Sequence, residues 1–225
     1  MKITVLTGAG ISAESGLRTF RDADGLWENH RVEEVATPEA FLRDPKLVQR
    51  FYNMRRADAA NAQPNAAHHA LARLARAHDV MLVTQNVDDL HERGGSADVV
   101  HMHGALSGAL CAGCGARWPA PMVMNCDDAC PACGKRLTRP DIVWFGEMPY
   151  RMEEIWARLE RTELFAAIGT SGNVYPAAGF VQHARRHGAR TIELNLQPSA
   201  VFSDFEDALQ GPASQIVPAW VDSLT

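Results

Sequence analysis

The sequence has no excess of positive charge and no long apolar run. Its 22 Lys and Arg residues are outnumbered by 27 Asp and Glu residues, and the net charge of -5 gives no overall attraction to nucleic acid or to an anionic membrane. Its apolar stretches all fall short of the roughly 20 residues that a bilayer-spanning helix needs. We therefore expect a globular chain with no nucleic-acid and no membrane partner, and 225 residues suffice for one core that carries a small insert.

Cysteine is scarce, and the beginning of the chain lacks a leader-like pattern. Met1 and Lys2 run directly into apolar residues 3–6, without the basic region and apolar stretch of a signal peptide. These features predict a cytoplasmic location, in which the five cysteines would stay reduced. The spacing of the cysteines is consequently more informative than their number.

Short apolar segments alternate with helical patterns along most of the chain. The segments that predict strands are 3–7, 80–84, 99–101, 142–145, 164–168 and 191–194. After Pro64, apolar residues recur at helical spacing at Ala67, Leu71 and Leu74, and residues 152–161 and 177–187 show a similar pattern. The alternation predicts an α/β fold with a mostly parallel sheet and helices on both of its faces.

Residues 108–139 lose this periodicity and contain two Cys-x-x-Cys pairs separated by fifteen residues. Each pair can point two thiolates at one ion, so the spacing predicts a tetrahedral zinc site. Four thiolates would close the coordination shell, which favours a structural zinc over a catalytic one. Four unrelated buried cysteines and redox dithiols are the alternatives, and Cys126 is expected to be a bystander. The predicted ligands are Cys111, Cys114, Cys130 and Cys133.

Zinc ribbons often bind nucleic acid, which provides a non-enzyme alternative. The cations of the insert are Arg117, Lys135, Arg136 and Arg139. Two aspartates, Asp127 and Asp128, offset them, so the basic patch is weak. A zinc-bearing nucleic-acid module is therefore the less favoured hypothesis.

A glycine-rich loop follows the first predicted strand. Residues 8–13 fit the G-x-G-x-x-G/A pattern of a dinucleotide-binding loop, in which glycines let the backbone approach a pyrophosphate. A simple tight turn is the alternative. The polar stretch 12–30 replaces the second strand and acidic residue of an ordinary dehydrogenase, and Phe20 and Arg21 could cover a base and steady a charge there.

Taken together, the motifs resemble those of sirtuins, the NAD-dependent protein deacylases. Besides the cysteine insert, the motifs in family order are GAGISAESGLRTFR (8–21), TQNVDDLHERGG (84–95), HMHGAL (101–106), GTSGNVYPAAGF (169–180) and ELNLQPS (193–199). Residues 17–19 read Leu-Arg-Thr where many members have Ile-Pro-Asp. The resemblance implies a Rossmann-like large domain at about 1–30, 79–107 and 140–225. It also implies a small domain at 31–78 and 108–139, with NAD and the acyl-lysine peptide between the two.

The resemblance also implies the residues of the active site. His103 would be the general base toward the NAD ribose, assisted by Asn86, although a structural histidine and a helix-capping Asn-Asp pair are alternative interpretations. The implied cofactor-binding residues are Gly8, Ala9, Gly10, Ala13, Glu14, Phe20, Arg21, Trp27, Gln85, Asn86, Asp88, Gly169, Thr170, Ser171, Asn195, Leu196, Gln197 and Ala213.

Two further segments are expected to bind the acylated peptide. By resemblance the substrate lies along Val143, Trp144, Phe145 and Gly146, where an extended peptide can add as a strand. Tyr52 and Arg55 share a face of a predicted helix, and Tyr-x-x-Arg resembles the motif of class III sirtuins. A guanidinium fork suits the carboxylate of a succinyl or malonyl group, whereas the alternative is a solvated arginine beside a core tyrosine.

We therefore predict a deacylase that removes succinyl, malonyl and acetyl groups from lysine side chains of proteins or peptides. NAD would be consumed, yielding nicotinamide and an O-acyl-ADP-ribose, and one structural zinc and a monomeric state are expected. The alternatives are a deacetylase with little desuccinylase activity and an ADP-ribosyltransferase. A hydride-transferring dehydrogenase would also keep a dinucleotide loop.

Overall fold

The computed structural model describes residues 1–18, 26–27 and 30–225. The strands are β1 Lys2–Thr7, β2 Leu26–Trp27, β3 His30–Arg31, β4 Asp79–Thr84, β5 Val99–His101, β6 Gly104–Cys111, β7 Arg117–Pro119, β8 Thr138–Ile142, β9 Leu164–Ile168, β10 Arg190–Asn195 and β11 Asp207–Gln210. The α-helices are α1 Gly10–Ala13, α2 Val32–Val35, α3 Pro38–Arg43, α4 Pro45–Asn61, α5 Ala66–Ala77, α6 Leu90–Arg93, α7 Met152–Leu159, α8 Phe180–Arg186 and α9 Ala213–Asp222. Single 3₁₀ turns occupy Ala177–Gly179 and Phe202–Asp204. Within these described ranges, no helix has the length and apolar character needed to cross a bilayer.

The main sheet has six parallel strands in the order β11-β10-β9-β1-β4-β5. The chain runs from β1 toward one edge and then from β9 toward the other, so the direction of winding reverses between these two central strands. Loops that leave the carboxyl ends of β1 and β9 must therefore diverge and open a crevice, which is where α/β sheets bind ligands. The predicted parallel sheet is confirmed, and its topology is that of a Rossmann-like fold.

Both faces of the main sheet are covered, because neighbouring residues of its strands point to opposite sides. Val5 belongs to a core with Leu71 of α5 and Val217 of α9. Leu6, the next residue, packs in a second core with α7 and α8. Two-sided burial explains why β1 and β9 are continuous apolar runs rather than alternating ones.

The second sheet is small and antiparallel, with the order β7-β6-β8. Helices α2–α4 pack against it through a separate core that includes Val48, Leu106 and Ile142. Arg56 of α4 is buried, and its guanidinium donates to the Leu106 carbonyl at 2.8 Å and the Met122 carbonyl at 3.2 Å. The helical segment and the cysteine-rich insert are thus joined by apolar packing and by an arginine that satisfies backbone acceptors.

Helix α5 differs from the expectation that residues 31–78 belong to the small domain. Leu71 and Leu74 lie in the core of the main sheet together with Ile3, so α5 packs on the large part of the molecule. The helices that pack with the insert end at Asn61, the last residue of α4. The physical reason is the strong apolar stripe of α5, which is long enough to cover β1 and β4. The division into two domains otherwise stays a prediction.

The expected strand at 142–145 is wrong in its boundaries and in its sheet. Strand β8 ends at Ile142 and pairs antiparallel with β6. The chain then turns, because the Trp144 amide bonds the Glu147 carboxylate at 2.8 Å and Gly146 has a φ of 91°. Strand β11 was missed altogether, since its residues are all exposed and carry no apolar pattern.

Candidate active site

Three glycines bring the loops after β1 and β9 into direct contact at the crevice. The Gly10 amide donates to the Gly169 carbonyl at 2.9 Å. A Cβ on Gly10 would lie 2.7 Å from the Gly169 Cα, and one on Gly8 would lie 2.8 Å from the Gly169 oxygen. Gly169 itself has a φ of +62°, which favours glycine. No side chain fits between these loops, so their backbone forms a cradle of the kind that lets a pyrophosphate approach closely.

Polar side chains after β4 fasten a third loop to this cradle. The Asn86 side-chain amide donates to the Gly8 carbonyl at 3.2 Å and to the Ser12 hydroxyl at 3.1 Å. Ser12 in turn donates to Asp88 at 3.2 Å. The other carboxylate oxygen of Asp88 accepts from the Leu90 amide at 3.1 Å, so the helix-capping interpretation is correct for Asp88 but not for Asn86. Burial raises the pKa of Asp88.

His103 follows β5 and is oriented by the backbone of the same loop. Its Nδ1 lies 3.2 Å from the Gln85 carbonyl, and since a carbonyl only accepts, Nδ1 carries the proton. Nε2 then presents a lone pair, as a general base requires. Burial lowers the pKa of His103, which keeps the imidazole neutral near neutral pH. The His103 carbonyl accepts from the Val143 amide at 2.9 Å and thereby connects this loop to the predicted peptide strip.

His101, two residues earlier, has the opposite environment. Its Nδ1 donates to the Asn86 carbonyl at 3.1 Å and its Nε2 donates to Glu92 at 2.7 Å. Burial opposes the charged form, but the hydrogen bond and the negative charge of Glu92 outweigh it and raise the pKa of His101. His101 is thus a structural cation that holds the Asn86 loop, and His103 is the neutral histidine.

The predicted peptide strip alternates between the interior and the surface. Trp144 is buried, and its indole N–H donates to the Tyr52 hydroxyl at 2.9 Å. The guanidinium of Arg139 lies 3.5 Å from the centre of the Trp144 ring. Phe145 is 48% exposed, and its amide donates to the Ala36 carbonyl at 3.0 Å. Gly146 is exposed beside it, so the strip is accessible from outside while Trp144 anchors it to α4.

Arg55 lies one turn after Tyr52 on α4, as the i, i+3 spacing predicted. It is only 7% exposed, which rules out the interpretation of a solvated arginine. Burial raises the pKa of the Tyr52 phenol. Arg55 lines an open cleft of about 440 Å³, whose other walls include residues 15–18 and Asp58. The cleft therefore adjoins both the glycine-rich loop and helix α4.

The predicted contacts to the adenosine half also lie together. The Asn195 side chain donates to the Thr170 carbonyl at 2.7 Å, and the Gly211 amide donates to the Asn195 carbonyl at 3.1 Å. These bonds join the loops after β9 and β10 to the segment before α9. The remaining residues of this group are Ser171, which is half-buried, Leu196 and Gln197, which are exposed, and Ala213, which begins α9.

Ala9, Ala13 and Glu14 lie on the outer side of the first turn. Ala13 and Glu14 are exposed, and the Glu14 carboxylate accepts from the Ser214 amide at 3.1 Å at the start of α9. The predictions for Phe20, Arg21 and the side chain of Trp27 lie outside the described residues.

Four cysteines converge at the end of β6, and Cys126 is not among them. The Sγ atoms of Cys111 and Cys133 are 3.7 Å apart, as are those of Cys114 and Cys130. All four ligand atoms lie within 4.8 Å of one another. The edge of a ZnS₄ tetrahedron with bonds of about 2.3 Å is about 3.8 Å, so the cluster has the dimensions of a tetrathiolate site.

Comparison with known families decides the relationship. The model of the Sir2 family matches residues 8–176. The chain belongs to the Sir2 family. The predicted resemblance is thereby confirmed.

Relatives of this Sir2-family chain match it over nearly its whole length. It is 56% identical over 230 residues to the NAD-dependent protein deacylase of Salmonella typhimurium, covering 99% of this chain and 84% of the relative. It is 53% identical to the NAD-dependent protein deacylase of Caulobacter vibrioides, covering 100% and 97%. A solved Sir2 homologue in complex with NAD superposes with a TM-score of 0.91 at 39% identity, covering 99% of this chain and 88% of that one.

Sequence reasoning missed three residues that build the site of this Sir2-family chain. Ser12 links Asn86 to Asp88, His101 fixes the Asn86 backbone, and Arg139 stacks on Trp144. Ser12 and His101 stand within the motifs already recognised, so their position was a usable indication. Arg139 had only its charge to distinguish it and was counted with the surface cations of the insert.

The two histidines of the HMH segment should titrate in opposite directions. In the chain without NAD, we expect the His103 ring to titrate below 6.5 because burial disfavours its cation. The His101 ring should titrate above 6.5 because Glu92 favours its cation. Ring-proton NMR across the pH range measures both, with His101→Gln and His103→Gln assigning the signals. The reverse order of the two pKa values would contradict this description of the site.

Proposed function

We propose that this Sir2-family chain is an NAD-dependent protein deacylase that removes succinyl and malonyl as well as acetyl groups from lysine side chains. The enzyme class is supported by more than 50% identity to curated deacylases over nearly the whole chain. The preference for dicarboxylic acyl groups is supported by one observation above all. A buried arginine and a buried tyrosine share a face of α4, and the arginine lines the cleft next to the glycine-rich loop.

The cradle of Gly8, Gly10 and Gly169 has the form that a dinucleotide requires, because any Cβ there would occupy the space of the neighbouring backbone. Bound NAD would supply a ribose carbon open to attack and nicotinamide as a leaving group. We assign the loops after β1 and β9 to the phosphates and the Asn195 loop, with Ala213, to the adenosine half. Gln85, Asn86 and Asp88 would face the ribose and the nicotinamide amide.

His103 would act as the general base. Its Nδ1 proton is committed to the Gln85 carbonyl, so Nε2 is the atom that would accept a proton from a ribose hydroxyl. Asn86 would orient the sugar, because two hydrogen bonds already hold its side-chain amide rigidly. The link from the His103 carbonyl to Val143 places the base beside the strip that would receive the peptide.

Arg55 would choose the acyl group. A guanidinium can pair with a terminal carboxylate through two parallel hydrogen bonds, which a lysine cannot reproduce. The Tyr52 oxygen accepts the Trp144 N–H, so the Tyr52 hydroxyl proton points away from the indole and can serve a carboxylate. The peptide backbone would add along Val143–Gly146, a mode that depends little on peptide sequence.

We further propose that the cysteine cluster holds one structural Zn²⁺. The four thiolates would fill the tetrahedron, so the ion would stabilise the insert and take no part in the reaction. The cytoplasmic location and the monomeric state stay predictions from the sequence.

Replacing Arg55 tests the acyl preference. Arg55→Met should lower kcat/KM for a succinyl-lysine peptide by about 10- to 150-fold, corresponding to roughly 1.5–3 kcal/mol for a charge-assisted pair. Activity on the matched acetyl-lysine peptide should change little, because an acetyl group has no carboxylate. Mass spectrometry of both peptides with and without NAD measures this, and Arg50→Met, on the exposed face of α4, is the control. Equal loss of both activities would assign Arg55 to the fold instead.

His103→Ala tests the base. Without a proton acceptor at this position, turnover of both acetyl and succinyl peptides should fall by about 10²- to 10⁴-fold. Circular dichroism should show that the fold persists. His69→Ala removes an exposed histidine elsewhere and should leave turnover unchanged. Substantial turnover by His103→Ala would remove this residue from the mechanism.

Metal analysis tests the zinc. After dialysis to remove weakly held ions, the chain should retain about one Zn²⁺. Cys114→Ser should lose the zinc and melt at a lower temperature because the tetrahedron is incomplete. Cys126→Ser is the matched control and should keep it, since Cys126 lies outside the cluster. Retention of zinc by Cys114→Ser, or its loss from Cys126→Ser, would contradict the assignment.

A further inference from the structure

A second group of metal-ligating side chains lies far from the crevice. Glu160 directly follows α7, His183 lies on α8, and His187 directly follows α8. Their ligand atoms all fall within 4.8 Å of one another. His183 Nε2 is 3.9 Å from a Glu160 carboxylate oxygen. None of these residues belongs to the proposed NAD, peptide or cysteine sites.

The two histidines are spaced and oriented as metal ligands usually are. They are four residues apart, so they share one face of the helix, and their ring centres are 4.5 Å apart. His187 Nδ1 lies 2.9 Å from the His183 carbonyl and must donate to it. That bond fixes the tautomer in which His187 Nε2 has a lone pair. A backbone carbonyl commonly orients a metal-binding histidine in this way.

His183 presents a buried nitrogen that lacks a hydrogen-bond partner within the described residues. Its Nε2 is shielded from solvent, and the Glu160 oxygen is too distant to bond it. Edge contact with Trp156, at 4.8 Å between ring centres, holds the imidazole in place. Burial and the neighbouring His187 lower the pKa of His183, so the ring is neutral and can donate a lone pair. A buried unpartnered nitrogen is costly, and a metal ion would satisfy it.

Two imidazoles and one carboxylate are a donor set for zinc, cobalt, nickel or copper rather than for magnesium or calcium. Ligand atoms around such an ion are about 3–3.5 Å apart, since the bonds are about 2.0–2.2 Å long. The 3.9 Å separation would close through a small rotation of Glu160, whose side chain is 53% exposed. Three ligands also leave a coordination position for water.

We propose that Glu160, His183 and His187 form a second divalent transition-metal site, which ties the carboxyl ends of α7 and α8 together. These ends lie where the strands of the main sheet begin, because the Arg190 amide at the start of β10 bonds the Glu163 carbonyl at 3.0 Å. The length of β9, about 16 Å, separates that edge from the glycine cradle. The ion would therefore stabilise the fold and would not enter the deacylation reaction.

Cobalt titration of the zinc-loaded chain distinguishes this site from the cysteines. We expect one Co²⁺ per chain to bind, with weak ligand-field bands and no thiolate-to-metal charge-transfer band. The melting temperature should rise by about 5–10 °C at a Co²⁺ concentration near 100 times Kd. A strong charge-transfer band, showing only exchange into the cysteine cluster, would overturn the proposal.

Variants of the exposed ligands complete the test. His187→Ala and Glu160→Gln should each weaken Co²⁺ binding by more than about tenfold and remove most of the thermal shift. His69→Ala and Glu153→Gln delete an exposed histidine and an exposed glutamate outside the cluster, and they should bind like the unmodified chain. Equal Co²⁺ affinity in His187→Ala and in the unmodified chain would also overturn the proposal.

Discussion

The contact between the loops after β1 and β9 is the constraint on which the site depends. Gly8 and Gly10 meet Gly169 at distances that exclude any side chain, and the Gly10 amide bonds the Gly169 carbonyl. Because the loops touch there, Asn86 can reach the Gly8 carbonyl from the third strand of the sheet. Nucleotide cradle, ribose loop and base are therefore positioned by backbone packing, and side chains only refine the arrangement.

Hydrogen-bond acceptors around the ring separate the roles of two histidines that look alike in the sequence. His101 faces an acceptor at each ring nitrogen and is stabilised as a cation, whereas His103 faces one carbonyl and is buried in the neutral form. The first supports the loop and the second is suited to accept a proton. Such a division of labour depends on partners that arrive from other parts of the chain, such as Glu92 and Gln85.

Local patterns were sufficient to predict much of this molecule. The strand-glycine sequence at Gly8, the paired cysteines and the i, i+3 spacing of Tyr52 and Arg55 each encode their geometry within a few residues. Contacts between distant segments were not predictable in the same way. Arg139 was counted as a surface cation, although it lies over Trp144, and α5 was placed with the wrong core because its apolar stripe does not specify a partner. The short exposed strand β11 pairs with β10 through backbone bonds that leave no trace in composition.

The position of Arg139 has a consequence for how acyl preference can change. Cys111 pairs with Thr138 across the small sheet, Arg139 comes next and stacks on Trp144, and Trp144 holds the Tyr52 hydroxyl. Four neighbouring contacts thus run from a thiolate of the insert to the tyrosine beside Arg55. The insert is a buttress for the acyl pocket, so its sequence and the pocket's selectivity are expected to drift together during divergence, even though the two never touch the same substrate atom.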